Sequence, residues 1–334
     1  MTPPHRVLFL AYPGFQLLDL TGPLQMFMTA DAMLGGGAYA ARVAAREAGP
    51  LASSSGLAVV ADLALRHVDD AALAATDTLI AVGGGGAKLT EALEQGAITG
   101  VLARAPGRTP RIASVCTGAF FLAAAGVLDG RRATTHWESI ERLRAFRPAV
   151  DVDPDAIFVR DGAVWTSAGV TAGMDLALAM IELDHGRAAA LGVARRNVVF
   201  RIRPGGQTQF SADLAAQATE DRRLARLAEA VRAAPDEDWR VERLTAVAAM
   251  SPRSLSRACR DQLGASPAAF VERVRLDAAR RALLETDRPV DRIARDCGFA
   301  STRRMDRAFA RVLGVSPTSF RRRFSNTRER RAAE

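Results

Sequence analysis

Apolar and polar positions follow one rhythm in the first half of the chain and another in the last third. Arg6–Ala11 (RVLFLA), Thr78–Val82 (TLIAV) and Arg111–Cys116 (RIASVC) are short apolar runs followed by Gly or Pro. Such runs predict strands of a parallel sheet buried on both faces. Ile157–Arg160 and Ala163–Ser167 flank Asp161-Gly162, a dipeptide that favours a hairpin turn. Helical spacing marks Thr21–Met33, Ala119–Ala125, Thr135–Ala145 and Thr171–Leu183. Alternating strands and helices predict an α/β three-layer sandwich with a mostly parallel sheet.

From about residue 188 the strand signals stop. Arg203-Pro204-Gly205-Gly206 interrupts a helical stretch, and a polar segment follows. We place a first domain at 1–190, a linker at 191–221 with a hinge at Gly205-Gly206, and an all-α domain at 222–330.

That last domain repeats itself. Leu263-Gly264-Ala265-Ser266-Pro267 recurs fifty residues later as Leu313-Gly314-Val315-Ser316-Pro317, and Phe270 recurs as Phe320. Val241-Glu242-Arg243-Leu244 matches Val290-Asp291-Arg292-Ile293 at an offset of forty-nine, so the second copy has one extra residue at its turn. Each copy reads as a short helix, a tight turn opened by a capping Ser251 or Ser301, and a second helix: a helix-turn-helix. The second helices set Leu255, Ala258 and Cys259, or Met305, Ala308 and Phe309, on one face. Arg253, Ser254 and Arg257, or Arg303, Arg304 and Arg307, lie on the other. A solvated structural helix has a similar pattern; recurrence of Arg at matched positions favours groove contacts instead. Pro267–Glu285 predicts one helix of about 28 Å, a strut that spaces the two second helices by about one DNA turn.

Charge sharpens this division. Of the net +8, residues 222–334 carry 26 Arg against 15 Asp and Glu, while residues 1–221 are net acidic. A positive field confined to one third of the chain points to a nucleic-acid partner for that third. Three widely spaced cysteines exclude a disulfide framework and a zinc site. No apolar run reaches the roughly 18 residues of a membrane span, and the N-terminus lacks a signal-peptide layout. We expect a cytoplasmic protein with no metal and no cofactor.

Arg240–Phe324 resembles the DNA-binding domain of the AraC/XylS family through MSPRSLSRACRDQLGASPAAF and DRIARDCGFASTRRMDRAFARVLGVSPTSFRRRF. The resemblance implies two helix-turn-helix units reading adjacent major-groove segments of a promoter. The first half is similar to the DJ-1/PfpI superfamily through PGFQLLDLTGPLQMF, AVGGGG, SVCTGAFFLAAAGVLDGRRATTHW and TSAGVTAGMDLAL. The whole chain resembles the GlxA-type subgroup of AraC-family regulators.

Cys116 is the most chemical-looking residue. It stands between a strand-like and a helix-like run, the setting of a nucleophile elbow near helix N–H groups, which lowers a thiol pKa. A small, buried, unreactive Cys fits the same pattern. Protease members of the superfamily have His directly after this Cys, where Thr117 stands here. The acidic partner is also altered, with Gln25 after Gly22-Pro23-Leu24 and Asp19 before them. Isonitrile hydratases look similar at Asp19-Leu20-Thr21-Gly22-Pro23 and Cys116-Thr117. Cys116, Asp19 and His136 are therefore the residual catalytic candidates. His136 reads equally as a hydrogen-bonded structural residue. Gly83–Gly86 is either a backbone approach to an anion or a tight turn.

These readings predict a transcription regulator, an activator, that binds double-stranded promoter DNA and engages RNA polymerase. Asp19, Gly84, Gly85, Cys116, Thr117 and His136 would bind a small nitrogenous metabolite, and the resemblance implies pairing into a homodimer. Trp137, Trp165, Phe15 and Phe120 are aromatic candidates for a cationic ligand. The alternative is a Cys116-dependent isonitrile-hydratase-like enzyme fused to a DNA-binding domain. An architectural DNA-binding protein with an inert first domain is a third reading.

Overall fold

Runs without polar alternation become strands buried on both faces. The computed structural model describes residues 3–154, 156–199, 221–263, 265–313 and 315–324. The chain divides into two units, with the boundary between residues 205 and 206. The expected hinge Gly205-Gly206 and most of the expected linker lie outside the described residues.

The first unit contains β1 (His5–Leu10), β2 (Tyr39–Ala45), β3 (Gly49–Ala52), β4 (Ala58–Ala61), β5 (Leu63–Ala64), β6 (Thr78–Ala81), β7 (Arg111–Val115), β8 (Arg132–Ala133), β9 (Asp151–Val152), β10 (Phe158–Asp161) and β11 (Val164–Ser167). A seven-stranded sheet runs β10-β11-β7-β6-β1-β2-β5. Every pairing in it is parallel except β10 with β11. Its helices are α1 (Leu17–Met33), α2 (Asp70–Ala74), α3 (Gly86–Gln95), α4 (Ala97–Arg104), α5 (Ala119–Ala124), α6 (Ile140–Phe146) and α7 (Thr171–Arg196). α1 and α7 pack on each other, while α5 packs on β6, β7, α3, α4 and α6. Glycine permits the first contact. A Cβ on Gly173 would come within 3.0 Å of the Pro23 ring, and one on Gly22 within 3.1 Å of Met174.

The expected α/β three-layer sandwich is present, with differences at its edge. Tyr39–Ala45 forms β2 although its Ala-rich sequence shows no strand alternation; pairing along all of β1 overrides its weak local preference. α7 runs past residue 190, breaking its helical geometry only at Gly186 (φ 82°), and buries Ala190, Val193 and Ala194 in the core of the first unit.

The second unit contains α8 (Arg222–Ala233), α9 (Val241–Ala248), α10 (Pro252–Leu263), α11 (Pro267–Glu285), α12 (Val290–Asp296), α13 (Thr302–Leu313) and α14 (Pro317–Phe324). Two apolar cores share the strut α11. Phe270, Val271 and Val274 join the first core with Leu244, Leu255 and Cys259. Leu276, Ala279 and Leu283 join the second with Ile293, Met305 and Phe309. The serine caps form as the repeat predicts. Ser251 Oγ accepts the N–H of Ser254 at 3.2 Å, and Ser301 Oγ accepts that of Arg304 at 3.3 Å. Among the described residues, no helix is long and apolar enough to cross a membrane.

Candidate functional site

In the first unit the chemistry gathers at the carboxyl ends of the parallel strands, beside the point where the chain passes from β1 to opposite sides of the sheet. Crevices form there in open α/β sheets because neighbouring connections diverge. β7 ends at Val115 and α5 begins at Ala119. Between them Cys116 adopts φ 58°, the left-handed region that costs a non-glycine residue about 1–2 kcal/mol. Glycines make room for this turn. A Cβ on Gly169 would sit 2.2 Å from Cys116 Cβ, and one on Gly83 would sit 2.7 Å from it. A Cβ on Gly118 would meet the Ala81 carbonyl oxygen at 2.2 Å. Gly83, Gly118 and Gly169 are thus set by close approaches at the turn that holds Cys116, whereas a Cβ on Gly85 or Gly86 would meet nothing within 4 Å.

Polar contacts then fix the turn. The Gly84 N–H donates to Thr117 Oγ1 at 2.8 Å, and the Thr117 hydroxyl donates back to the Gly84 carbonyl. The Thr135 hydroxyl donates to the Cys116 carbonyl at 2.9 Å. Asp19, in the first turn of α1, is fully buried. Its Oδ1 accepts the Val170 N–H at 2.6 Å, across 151 residues of sequence, while Oδ2 is buried without a hydrogen-bonding partner. Val170 is itself held at φ 50°. The Tyr12 hydroxyl is buried beside Thr117, and it lies 2.6 Å from where a Gly84 Cβ would stand.

Burial dominates the electrostatics. It pushes the Asp19 carboxyl up to about 6, against the Val170 N–H and the Cys116 thiol, which both favour the anion. It also pushes the Cys116 thiol well above its ordinary range, and the Asp19 charge adds to the rise. The lowering expected of a helix-terminal thiol is outweighed, because a thiolate here would be desolvated and face a carboxylate. Burial therefore favours the protonated thiol at Cys116.

The structure gathers four of the six residues expected to bind a metabolite: Asp19, Gly84, Cys116 and Thr117. Gly85 caps α3 at the exposed rim, while the Gly84 N–H is already committed to Thr117. His136 has its polar contact with Glu138, at 3.8 Å, and its ring against Trp137; among the described residues it has none with Cys116. Gln25 bonds Thr29 on its own helix. Of the four aromatic candidates, Trp137 is 50% exposed, whereas Phe15, Phe120 and Trp165 are buried. Trp165 packs against Arg111 and Arg160 instead. Tyr12, Thr135 and Val170 were not singled out from sequence. A polar aromatic closing the first strand was the one available signal, since the other two matter only through distant partners.

The second unit presents a different surface. Leu255, Cys259 and Leu263 of α10, and Met305, Ala308 and Phe309 of α13, are buried. Arg253, Ser254, Arg257, Arg303, Arg304 and Arg307 are exposed. Other arginines of this unit are tied to acids: Arg243 to Glu237, Arg288 to Asp296, Arg295 to Asp291 and Arg311 to Glu272. Arg253 and Arg257 of α10 and Arg303, Arg304 and Arg307 of α13 form no ion pair among the described residues, which leaves them available for phosphate and base edges. Ser251 and Ser301 stand at the entry to those helices with their oxygens engaged as caps. No cluster of metal-ligating side chains occurs among the described residues.

Comparison with known proteins separates the same two parts. Residues 5–183 match the DJ-1/PfpI family, and residues 244–323 match a helix-turn-helix domain. The HTH-type transcriptional regulator CdhR of Pseudomonas aeruginosa is 30% identical over 94% of this chain and 90% of its own. The isonitrile hydratase of Pseudomonas putida is 31% identical over 52% of this chain and 69% of its own. A crystal structure of an AraC family transcriptional regulator from Pseudomonas putida superposes with a TM-score of 0.51 at 25% identity, covering 58% of this chain and all of that one.

Proposed function

The chain belongs to the DJ-1/PfpI family and is a DNA-binding transcription regulator, and from that premise we propose that its N-terminal crevice binds a small nitrogenous metabolite that controls activation. The observation that carries this reading is the Oδ2 of fully buried Asp19, which has no N–H or O–H donor and only the weakly donating Cys116 thiol beside the carboxyl. A buried carboxylate oxygen without a donor is costly, and a ligand N–H supplies what is missing. Cys116, Thr117 and Gly84 belong to the turn beside Asp19, and to the same ligand we assign Gly85, His136 and the exposed Trp137. The metabolite favours one of two arrangements only by binding it more tightly. Arg253 and Arg257, with Arg303, Arg304 and Arg307, contact the promoter, where an activator engages RNA polymerase; the regulator acts as a homodimer.

The raised thiol supports binding without turnover. A nucleophilic Cys needs a base within hydrogen-bond reach or a lowered pKa; burial raises the Cys116 thiol instead, and the group beside it is the buried Asp19 carboxyl rather than an imidazole. The test is a thermal-shift screen of the intact protein against amine and ammonium metabolites, repeated with Asp19→Asn. Stabilisation of the parent that is lost in the variant is expected. Equal shifts in both would remove Asp19 from the site.

One observation favours a second reading. A strained elbow Cys beside an acid is also the equipment of a Cys-dependent hydratase, with Cys116 attacking an electrophilic carbon and Asp19 moving the proton. Turnover of an isonitrile that vanishes in Cys116→Ala would establish it. Metabolite-responsive transcription that survives in Cys116→Ala would exclude it as the basis of control.

A further inference from the structure

The two apolar cores of the second unit meet at one residue of the strut. Val274 belongs to the first core and Leu276 to the second. Arg275 stands between them, half-buried, and reaches back to the segment before α9. Its Nε donates to the Pro235 carbonyl at 2.8 Å, and its Nη2 donates to the Glu237 carbonyl at 2.8 Å. That segment is anchored in the first helix-turn-helix unit. Trp239 donates to the Ala234 carbonyl at 2.7 Å, and Arg243 both pairs with Glu237 at 2.7 Å and covers the Trp239 ring at 4.7 Å.

The turn of the other unit closes on the same place. A Cβ on Gly298 would lie 2.1 Å from the Pro235 oxygen, 2.7 Å from Arg275 Nε and 2.9 Å from Asp236 Cα. The two copies differ here in an informative way. At the offset of forty-nine, Gly298 matches Ala249, and both are left-handed, at φ 77° and 51°. The first copy accepts an alanine in that conformation. The second has glycine, and there the missing Cβ lets segment 235–237 in.

We propose that Arg275 is a positioning residue for DNA recognition: together with Gly298 it clamps segment 235–237 and fixes the angle between the two helix-turn-helix units, and with it the operator spacing the protein accepts. The strut sets the distance between the units, but each packs on it through a separate core, so their relative setting needs a contact that joins the two directly. Two charge-assisted hydrogen bonds from a planar guanidinium to two carbonyls hold that contact in place. The exposed Arg311–Glu272 pair also joins α13 to the strut, but solvent weakens it. The proposal rests on both α10 and α13 reading bases.

The experiment first selects a duplex from random sequence with the full-length protein. Binding is then measured for the parent, Arg275→Ala and Arg275→Lys. The probes are that duplex, a form with one base pair inserted between its two contacted segments, and forms with either segment scrambled. One extra base pair moves the segments apart by about 3.4 Å and turns them by about 35°. The parent is expected to lose at least about tenfold in affinity on insertion. Arg275→Ala is expected to lose about threefold or less, with scrambled-segment probes bound as the parent binds them. Arg275→Lys, which keeps the charge but not the fork, falls between the two and serves as the test if the alanine variant does not fold. Spacing selectivity equal to the parent's in a folded Arg275 variant overturns the clamp and leaves DNA recognition standing. Failure of the parent to select a two-segment site overturns the paired reading beneath it.

Discussion

The N-terminal crevice and the C-terminal recognition helices both hold charge ready for a partner, by opposite means. In the crevice, Asp19 is fully buried, one of its oxygens has no partner, and Cys116 and Val170 sit in strained backbone around it. On α10 and α13, Arg253, Arg257, Arg303, Arg304 and Arg307 are exposed and form no ion pair among the described residues, on regular helices capped by serine. The difference teaches what each site discriminates. Desolvated charge is expensive, so the ligand proposed for the crevice would be selected by what it supplies to a group already out of water. Exposed charge costs little to keep, so the helices draw in any polyanion and select by which base edges the fork of an Arg meets.

The largest effect should come from filling the space around the elbow. Gly169→Ala puts a methyl 2.2 Å from Cys116 Cβ at φ 93°, so the N-terminal unit should lose about 3 kcal/mol or more. Denaturant unfolding of the full chain with separate probes for the two units checks this. An unchanged first transition would mean that the elbow is looser than described.

Asp19 gives a pH test of the crevice. A carboxyl raised to about 6 from an ordinary 3.8 favours folding when protonated. Its contribution is complete below about pH 4 and is lost as pH rises through about 6. The stability difference between parent and Asp19→Asn should therefore change by about 2–3 kcal/mol between pH 4 and 7. A flat difference would place Asp19 in solvent and erase the contrast with the arginines.

The recognition face should respond to salt instead. Replacing a base-reading arginine among Arg303, Arg304 and Arg307 with alanine should cost about 1–3 kcal/mol of DNA affinity and relax specificity at one position. Replacing a phosphate-contacting one should weaken all sequences and shallow the salt dependence by about one unit. Binding titrations at several salt concentrations separate the two. Neither variant should shift the unfolding of the N-terminal unit.

The smallest effect contrasts the two turns. Ala249→Gly relieves a left-handed alanine and should stabilise the C-terminal unit by up to about 1 kcal/mol. Gly298→Ala should destabilise it by more, because a Cβ there meets the Pro235 carbonyl. Equal responses at the two positions would dissolve the distinction between the copies.

The sequence by itself determined the parts whose physics is local or repeated. Helical spacing, serine caps and two copies at one offset were enough for the paired helix-turn-helix units, because an amphipathic helix writes its buried face into every third or fourth residue. A strand-like run ending in Cys and Gly was enough to mark the elbow. Tertiary structure alone decided what those parts do to one another. Burial raised the Cys116 thiol where the elbow alone would have lowered it. Asp19 found Val170 across 151 residues, Ala-rich Tyr39–Ala45 became a strand through β1, and Arg275 found two carbonyls some forty residues before it. Desolvation and long-range contact depend on which distant atoms exclude water, and no local pattern of residues carries that.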